Sequence, residues 1–250
     1  MTFQLTIVPN PHKPIQQEKA EFNKVVLNYL KTCMLTPDCI ILEYSDLNRS
    51  RMEVYFGKEL VRSSIVMLPA MIHNRLQKSS FAGSLGSRPM KDRYINGLSI
   101  ATPTLRRLMW LQNQETTSDL FTGASLSSKS IVMEIIPSSE EFIQAYMYSV
   151  SKTCFVVHSY EDQSAGEYHR LSEMGPFGCV PIVESIGDKI AIEIYEECGG
   201  VLFVDLAHIL PTIIDILAQK GKYNKTISVD ARRQWWNNQI QWKNILMECL

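Results

Sequence analysis

One stretch constrains the fold more than any other: residues 154–205, CFVVHSYEDQSAGEYHRLSEMGPFGCVPIVESIGDKIAIEIYEECGGVLFVD. Val- and Ile-rich runs at 154–158, 179–183 and 201–204 are separated by more polar segments. Continuous apolar runs that alternate with helices are the pattern of parallel strands buried on both faces. The order expected is strand, loop, short helix (166–177), strand, loop, short helix, strand. Polar residues crowd where these strands end, at 158–170 and 184–188, and open α/β sheets bind ligands outside the carboxyl ends of their strands. Ser164-Ala-Gly166 stands at an expected helix start, where free N–H groups and the helix dipole favour an anion.

The rest of the chain extends this α/β pattern. A first strand is expected at 3–8 and an amphipathic helix at 18–32, with Phe22, Val25, Val26, Tyr29 and Leu30 on one face. Strands follow at 39–42, running into Glu43-Tyr-Ser-Asp46, and at 64–68. This β-α-β-β order suits a small Rossmann-like half. Residues 77–92 are Ser/Gly-rich and read as a linker or a loop, which places a boundary near 88–91. A strand at 94–100 precedes a helix with Thr102 as N-cap, Pro103 at the first position and Leu105, Leu108, Met109 and Leu111 as an apolar stripe. Arg106 and Arg107 sit at its start, where cations oppose the helix dipole unless an anion is shared. A strand at 131–136, a helix from Ser138 to about Val150, a helix after Asp205 and a Trp-rich tail helix at 228–250 complete the expectation.

Composition removes several classes of function. Hydrophobic residues make up 45% of the 250, enough for a substantial core. A net charge of −1 gives no bulk electrostatic case for nucleic acid or an anionic membrane. No apolar run approaches the roughly 20 residues of a membrane span, and the N-terminal segment lacks the basic region of a signal peptide. The six cysteines lie in or beside apolar segments without zinc spacing, and read as free thiols of a reducing, cytoplasmic compartment. P-loop and dinucleotide fingerprints are absent, as is the Gly-rich turn of a methyltransferase.

Glu167-Tyr-His-Arg-Leu-Ser-Glu-Met and Gly178-Cys-Val-Pro-Ile-Val-Glu resemble the nucleotide-sugar half of GT-B glycosyltransferases. The nearest pattern is a small group, including virus-encoded members, with the signature E-x-H-R-L-x-E…G-C-V-x-V-x-E. Thr102-Pro-Thr-Leu-Arg-Arg resembles the S-P-R-R turn of that half, and Ile41-Leu-Glu-Tyr-Ser-Asp-Leu-Asn the E-Y-S-x-x-N segment of the other. The resemblance implies two Rossmann-like halves facing a cleft, the N-terminal one reduced: 1–90 on the acceptor side, 91–227 for the nucleotide sugar, and 228–250 crossing back. It implies transfer of a sugar from a nucleotide-diphosphate sugar to a glycan or other hydroxyl acceptor. No Asp-x-Asp occurs, which favours the metal-independent scheme with no cofactor beyond the donor.

Such chemistry needs cations or helix N-termini at the departing diphosphate. Arg106, Arg107 and the helix start at Gly166 are the candidates. By resemblance Glu173 faces the donor ribose, and Glu184 and Asp188 line the sugar or nucleotide. Glu167 and Arg170, three apart on a helix, touch the donor or simply pair with each other. His158 ends a strand as a donor ligand or as a satisfied core histidine. Glu43, Asp46 and His73 are candidate acceptor bases, Asp46 and Glu43 foremost. Two other readings stay open. One is a nucleotide-binding module with a degenerate GT-B fold and no turnover. The other starts from Phe155-Val-Val-His-Ser-Tyr-Glu-Asp, which faintly resembles the opening of TIR domains.

Overall fold

The computed structural model describes residues 17–37, 39–43, 45–67, 88–101, 104–117, 131–134, 141–159, 169–197 and 200–218. The expected strand at 3–8, most of the 77–92 segment, Thr102 and Pro103, His73, the helix start at Gly166 with Glu167, and the tail at 228–250 lie outside these residues. The chain divides into two units. Met1–Ala70, Glu161–Gly166 and Ile186–Glu193 form the first, and the remainder forms the second. Both carry parallel sheet, so the protein is a mixed α/β structure.

In the first unit, α1 (Gln17–Leu35) leads to β1 (Ile41–Glu43), α2 (Asp46–Phe56), α3 (Lys58–Ser64) and β2 (Ile65–Met67). β1 and β2 pair in parallel, Ile41 opposite Ile65. Parallel neighbours require a crossover, and α2 with α3 supplies it. These two helices replace the direct strand-to-strand step expected from the sequence. α2 escaped notice because it is polar along most of its length, and its start is set by capping. Ser45 takes an extended backbone, and its hydroxyl accepts the Asn48 N–H at 3.1 Å.

Leu30, Met34, Met52, Val61 and Ile65 form the core of this unit. The buried face of α1 is therefore Val26, Leu27, Leu30 and Met34, rotated from the expected one; Val25 and Tyr29 are exposed. Gly57 joins α2 to α3 at φ 86° and ψ 146°, a region that only glycine visits readily. A Cβ there meets open space, so Gly57→Ala tests backbone strain alone. It is expected to lower stability by about 1–3 kcal/mol in urea unfolding.

The second unit holds a five-stranded parallel sheet: β3 (Ile95–Ile100), β4 (Ile131–Glu134), β5 (Ser151–Val156), β6 (Val180–Glu184) and β7 (Leu202–Val204), in the order β4-β3-β5-β6-β7. The helices between them are α4 (Leu105–Thr117), α5 (Glu141–Val150), α6 (His169–Met174) and α7 (Lys189–Glu197), with α8 (Ile209–Leu217) after β7; the first half of α7, to Glu193, is counted with the first unit. The chain steps from β3 outward to β4, then returns to the other side of β3, so the strand order reverses between β3 and β5. That is a doubly wound order with its switch point at β3/β5.

Cys154 and Phe155 are adjacent, point to opposite faces and are both buried, so the sheet is covered on both sides. Phe155, Val157 and Ile182 pack against Trp110 of α4 and against Ile209, Leu210 and Ile213 of α8. The Trp110 and Phe155 rings lie 5.5 Å apart. α5 lies on β3 and β5, with Tyr148 stacked on Phe177 at 6.1 Å.

α4 inverts the expected stripe. Leu105 is 75% exposed, and Leu108 and Met109 are exposed too, while Arg107 and Trp110 face inward. Carbonyl oxygens at the end of β5 need donors, and Arg107 and its neighbour Arg106 supply them. The capping residue at the helix start is Thr104, whose carbonyl accepts Leu108 N–H at 3.0 Å and whose hydroxyl accepts Arg107 N–H at 3.4 Å. Ile214 of α8 is exposed.

Four cysteines among the described residues, Cys33, Cys39, Cys154 and Cys179, are free thiols. Cys154 and Cys179 are buried; Cys33 and Cys39 are half-buried. Burial pushes the Cys154 thiol well up, with the Cys179 thiol beside it adding to the effect. Among the described residues no helix is long and apolar enough to cross a membrane.

Candidate functional site

In the second unit three residues meet where β5 and β6 end and α4 begins. Arg106, in the first turn of α4, forms a two-pronged ion pair with Glu184, the last residue of β6. Its Nη1 donates to Glu184 Oε2 at 2.7 Å and its Nη2 to Oε1. The same Nη1 donates to the His158 carbonyl at 2.9 Å. Glu184 Oε2 also accepts the His158 backbone N–H at 2.9 Å. The His158 ring closes the circuit, with Nε2 2.9 Å from the Glu184 carbonyl. A carbonyl only accepts, so Nε2 carries the proton.

This arrangement follows from the sheet. β5 and β6 run in register, Val156 beside Val183, so His158 and Glu184 leave adjacent strands at almost the same level. β3 ends on their other side, and α4 starts four residues after Ala101. Four residues singled out from sequence (Arg106, Arg107, His158 and Glu184) therefore gather beside the switch point. Arg107 is buried and donates Nε–H to the Val157 carbonyl at 2.7 Å. Neither arginine occupies a solvated helix face. Arg106 keeps 21% of its side chain accessible, so it is the cation that a ligand reaches.

Arg170 donates to the Ile100 carbonyl at 2.6 Å, at the end of β3. Glu173 lies on α6, and its side chain is outside the described residues, as is Glu167. A hollow of about 400 Å³ lies at the ends of β6 and β7, lined by Ser185, Phe203, Val204, Asp205, His208 and Thr212 among others. His158 is fully buried, and its ring and backbone N–H both serve Glu184. Together the carboxyl ends offer a neutralised arginine–carboxylate pair and the start of a 13-residue helix. That set can hold an anion by exchanging Glu184 for it on Arg106.

The first unit places the remaining candidates. Glu43 is buried; its Oε1 accepts the Ser45 N–H at 2.9 Å and its Oε2 accepts from the Asn48 side-chain amide. Both oxygens thus brace the turn between β1 and α2. Asp46 begins α2, and its N–H donates to Asp188 Oδ1 at 3.3 Å. The Asp188 carboxyl is pushed up to about 7, first by burial and then by the Asp46 carboxyl beside it, against the lowering effect of the Ser45 hydroxyl. Two candidates 142 residues apart are thus neighbours.

Arg93 is the buried charge that sequence reasoning missed. It donates to the carbonyls of Arg88, Tyr148, Ser151 and Phe177 at 2.7 to 3.4 Å. Its only signal in the sequence was an arginine one step before an apolar strand. Among the described residues no group of three His, Cys, Asp or Glu side chains is placed to hold a metal ion. No protein-family profile matches the sequence, and no curated protein matches it.

Proposed function

We propose that the protein is a glycosyltransferase that moves a sugar from a nucleotide-diphosphate sugar to a hydroxyl of a glycan or other acceptor, without a metal. The observation that carries this reading is the convergence of Arg106, His158 and Glu184 at the carboxyl ends of a doubly wound parallel sheet, beside its switch point. Sheets of this order bind nucleotides there. The sequence resemblance to GT-B enzymes falls on two of these residues, Arg106 and Glu184. The two units then correspond to the two Rossmann-like halves of a GT-B fold, in a cytoplasmic enzyme.

In the reaction an acceptor oxygen forms a bond to the anomeric carbon while the bond from that carbon to the diphosphate oxygen breaks. The departing diphosphate gains negative charge. Arg106 and the start of α4 are suited to meet that charge, because a cation in a dry site stabilises a developing anion far better than water does. The acceptor proton goes to a base. Glu43 has both carboxylate oxygens engaged in bracing its own turn, which weakens it as that base.

A second reading, nucleotide binding without turnover, is favoured by one observation: Arg106 and Arg107 already satisfy acceptors within the protein. Incubation with UDP-, GDP-, dTDP- and CMP-sugars in the absence of metal separates the two. Slow release of free sugar from one donor, reduced about a hundredfold in Arg106→Gln, is expected for the transferase. Selective binding with no release, even with acceptors present, supports the binding module.

A further inference from the structure

The buried polar cluster of the first unit holds a feature that neither a sugar donor nor an acceptor requires. Asp188 has no exposed surface. Its Oδ1 accepts the Asp46 N–H, and the Ser45 hydroxyl donates to the same carboxyl. One oxygen of each acid is left over. Asp188 Oδ2 and Asp46 Oδ1 are both buried and accept no hydrogen bond from any described group. Two carboxylates in contact repel, and two buried oxygens without donors each cost free energy. One hydrogen atom placed between them removes both penalties.

We propose that Asp46 and Asp188 share a single proton, carried on Asp188 Oδ2 and donated to Asp46 Oδ1, and that this proton latches the turn before α7 to the first turn of α2. The turn is built to be held this way. Gly187 adopts φ 79° immediately before Asp188, and the Asp188 carbonyl accepts Ile192 N–H at 3.0 Å to start α7. Asp188 is therefore the cap residue of one helix while its side chain reaches the start of another.

The groups acting on the Asp188 carboxyl are its own burial, the Asp46 carboxyl and N–H, and the Ser45 hydroxyl; no cation is among them. Lys189 on α7 is exposed and Arg49 on α2 is half-buried, and neither enters that set. The Glu43 carboxylate behind the pair is held by Ser45 N–H and Asn48. With nothing to balance a second negative charge, the folded chain holds the proton up to about pH 7, whereas an unfolded aspartate releases it near 3.8. That is roughly a thousandfold tighter proton binding. The latch therefore stabilises fully below 3.8, weakens as pH rises towards 7, and is gone above it.

The test is a pH titration of the full chain carrying 13C-labelled aspartate, with thermal unfolding followed over the same range, for the native protein, Asp188→Asn and Asp46→Asn. In Asp188→Asn the side-chain amide supplies a permanent hydrogen in place of the proton. That variant is therefore expected to lose the decline of melting temperature between pH 3.8 and 7 and to melt above the native protein on the alkaline side. In Asp46→Asn the Asp188 resonance is expected to titrate lower than in the native protein, because the like charge is gone. An Asp188 midpoint at the ordinary aspartate value, a titration unmoved by Asp46→Asn, or an unchanged pH slope in Asp188→Asn would each overturn the shared proton. None of these readouts depends on sugar transfer, so the latch stands or falls separately from the proposed activity.

Discussion

Glu184→Ala is expected to destabilise the protein by about 3–5 kcal/mol, the cost of removing one partner of a buried ion pair. Only 8% of the Glu184 side chain and 21% of the Arg106 side chain are accessible, so solvent replaces the lost carboxylate only in part. Arg106 keeps the His158 carbonyl but loses its counter-charge, and the His158 backbone N–H loses the oxygen that accepts it. Three elements, α4, β5 and β6, lose their common fastening at once. Replacing both partners, as in Arg106→Met with Glu184→Leu, removes the desolvation cost together with the attraction. That double variant is expected to recover most of the loss. Urea unfolding of the three proteins measures both effects. A single variant within about 1 kcal/mol of the native protein would mean that the pair behaves like a surface ion pair.

Arg93→Met should cost about 3 kcal/mol or more, for a different reason. Arg93 is buried, and its guanidinium serves carbonyls from four places: Arg88, Tyr148 in α5, Ser151 at the start of β5 and Phe177 after α6. Methionine fills much of the volume but donates nothing, so the carbonyls are left buried with fewer donors, at about 1–3 kcal/mol for each group left unsatisfied. Lysine restores the charge as a single point and cannot span the same set, so Arg93→Lys is expected to recover only part of the loss. Urea midpoints for the two variants check the order. Near-equal stability of Arg93→Lys and the native protein would show that charge alone matters there.

The sequence announced the parallel sheet because its central strands are apolar on both faces. β5 and β6 were legible from Cys154–Val157 and Val180–Val183, which have no solvent side to carry polar residues. The same physics hid the details. An apolar residue in a helix reads as inward-facing, yet α4 turns Leu105, Leu108 and Met109 outward and buries Arg107. A buried guanidinium is tolerated where strand-end carbonyls accept its hydrogens, and periodicity does not register those carbonyls. α2 was missed because capping, through Ser45 and Asn48, defines it more than any apolar stripe. The E-Y-S-x-x-N segment thereby acquires a local reason: Glu43, Ser45 and Asn48 brace one another at the strand-to-helix turn.

The candidate site was legible in its membership and not in its wiring. Arg106 and Arg107 stood out as cations opposing a helix dipole, His158 as a polar residue ending an apolar strand, and Glu184 through the resemblance to GT-B enzymes. The ion pair between Glu184 and Arg106 joins residues 78 apart, a distance over which spacing carries no signal. Asp46 and Asp188 were assigned to different tasks from sequence, and their contact within the first unit was invisible to motif or spacing.

The central claim is that the carboxyl ends around Arg106 form a nucleotide-diphosphate site. Chemical-shift mapping of the 15N-labelled full chain, titrated with UDP, GDP and dTDP without metal, tests it most directly. One nucleotide is expected to shift the amides of 104–107, 157–159 and 184–185 together, with the Arg106 side-chain resonance moving as Glu184 is displaced. Saturable shifts confined to other parts of the chain, or none with any nucleotide in a folded sample, would contradict the claim.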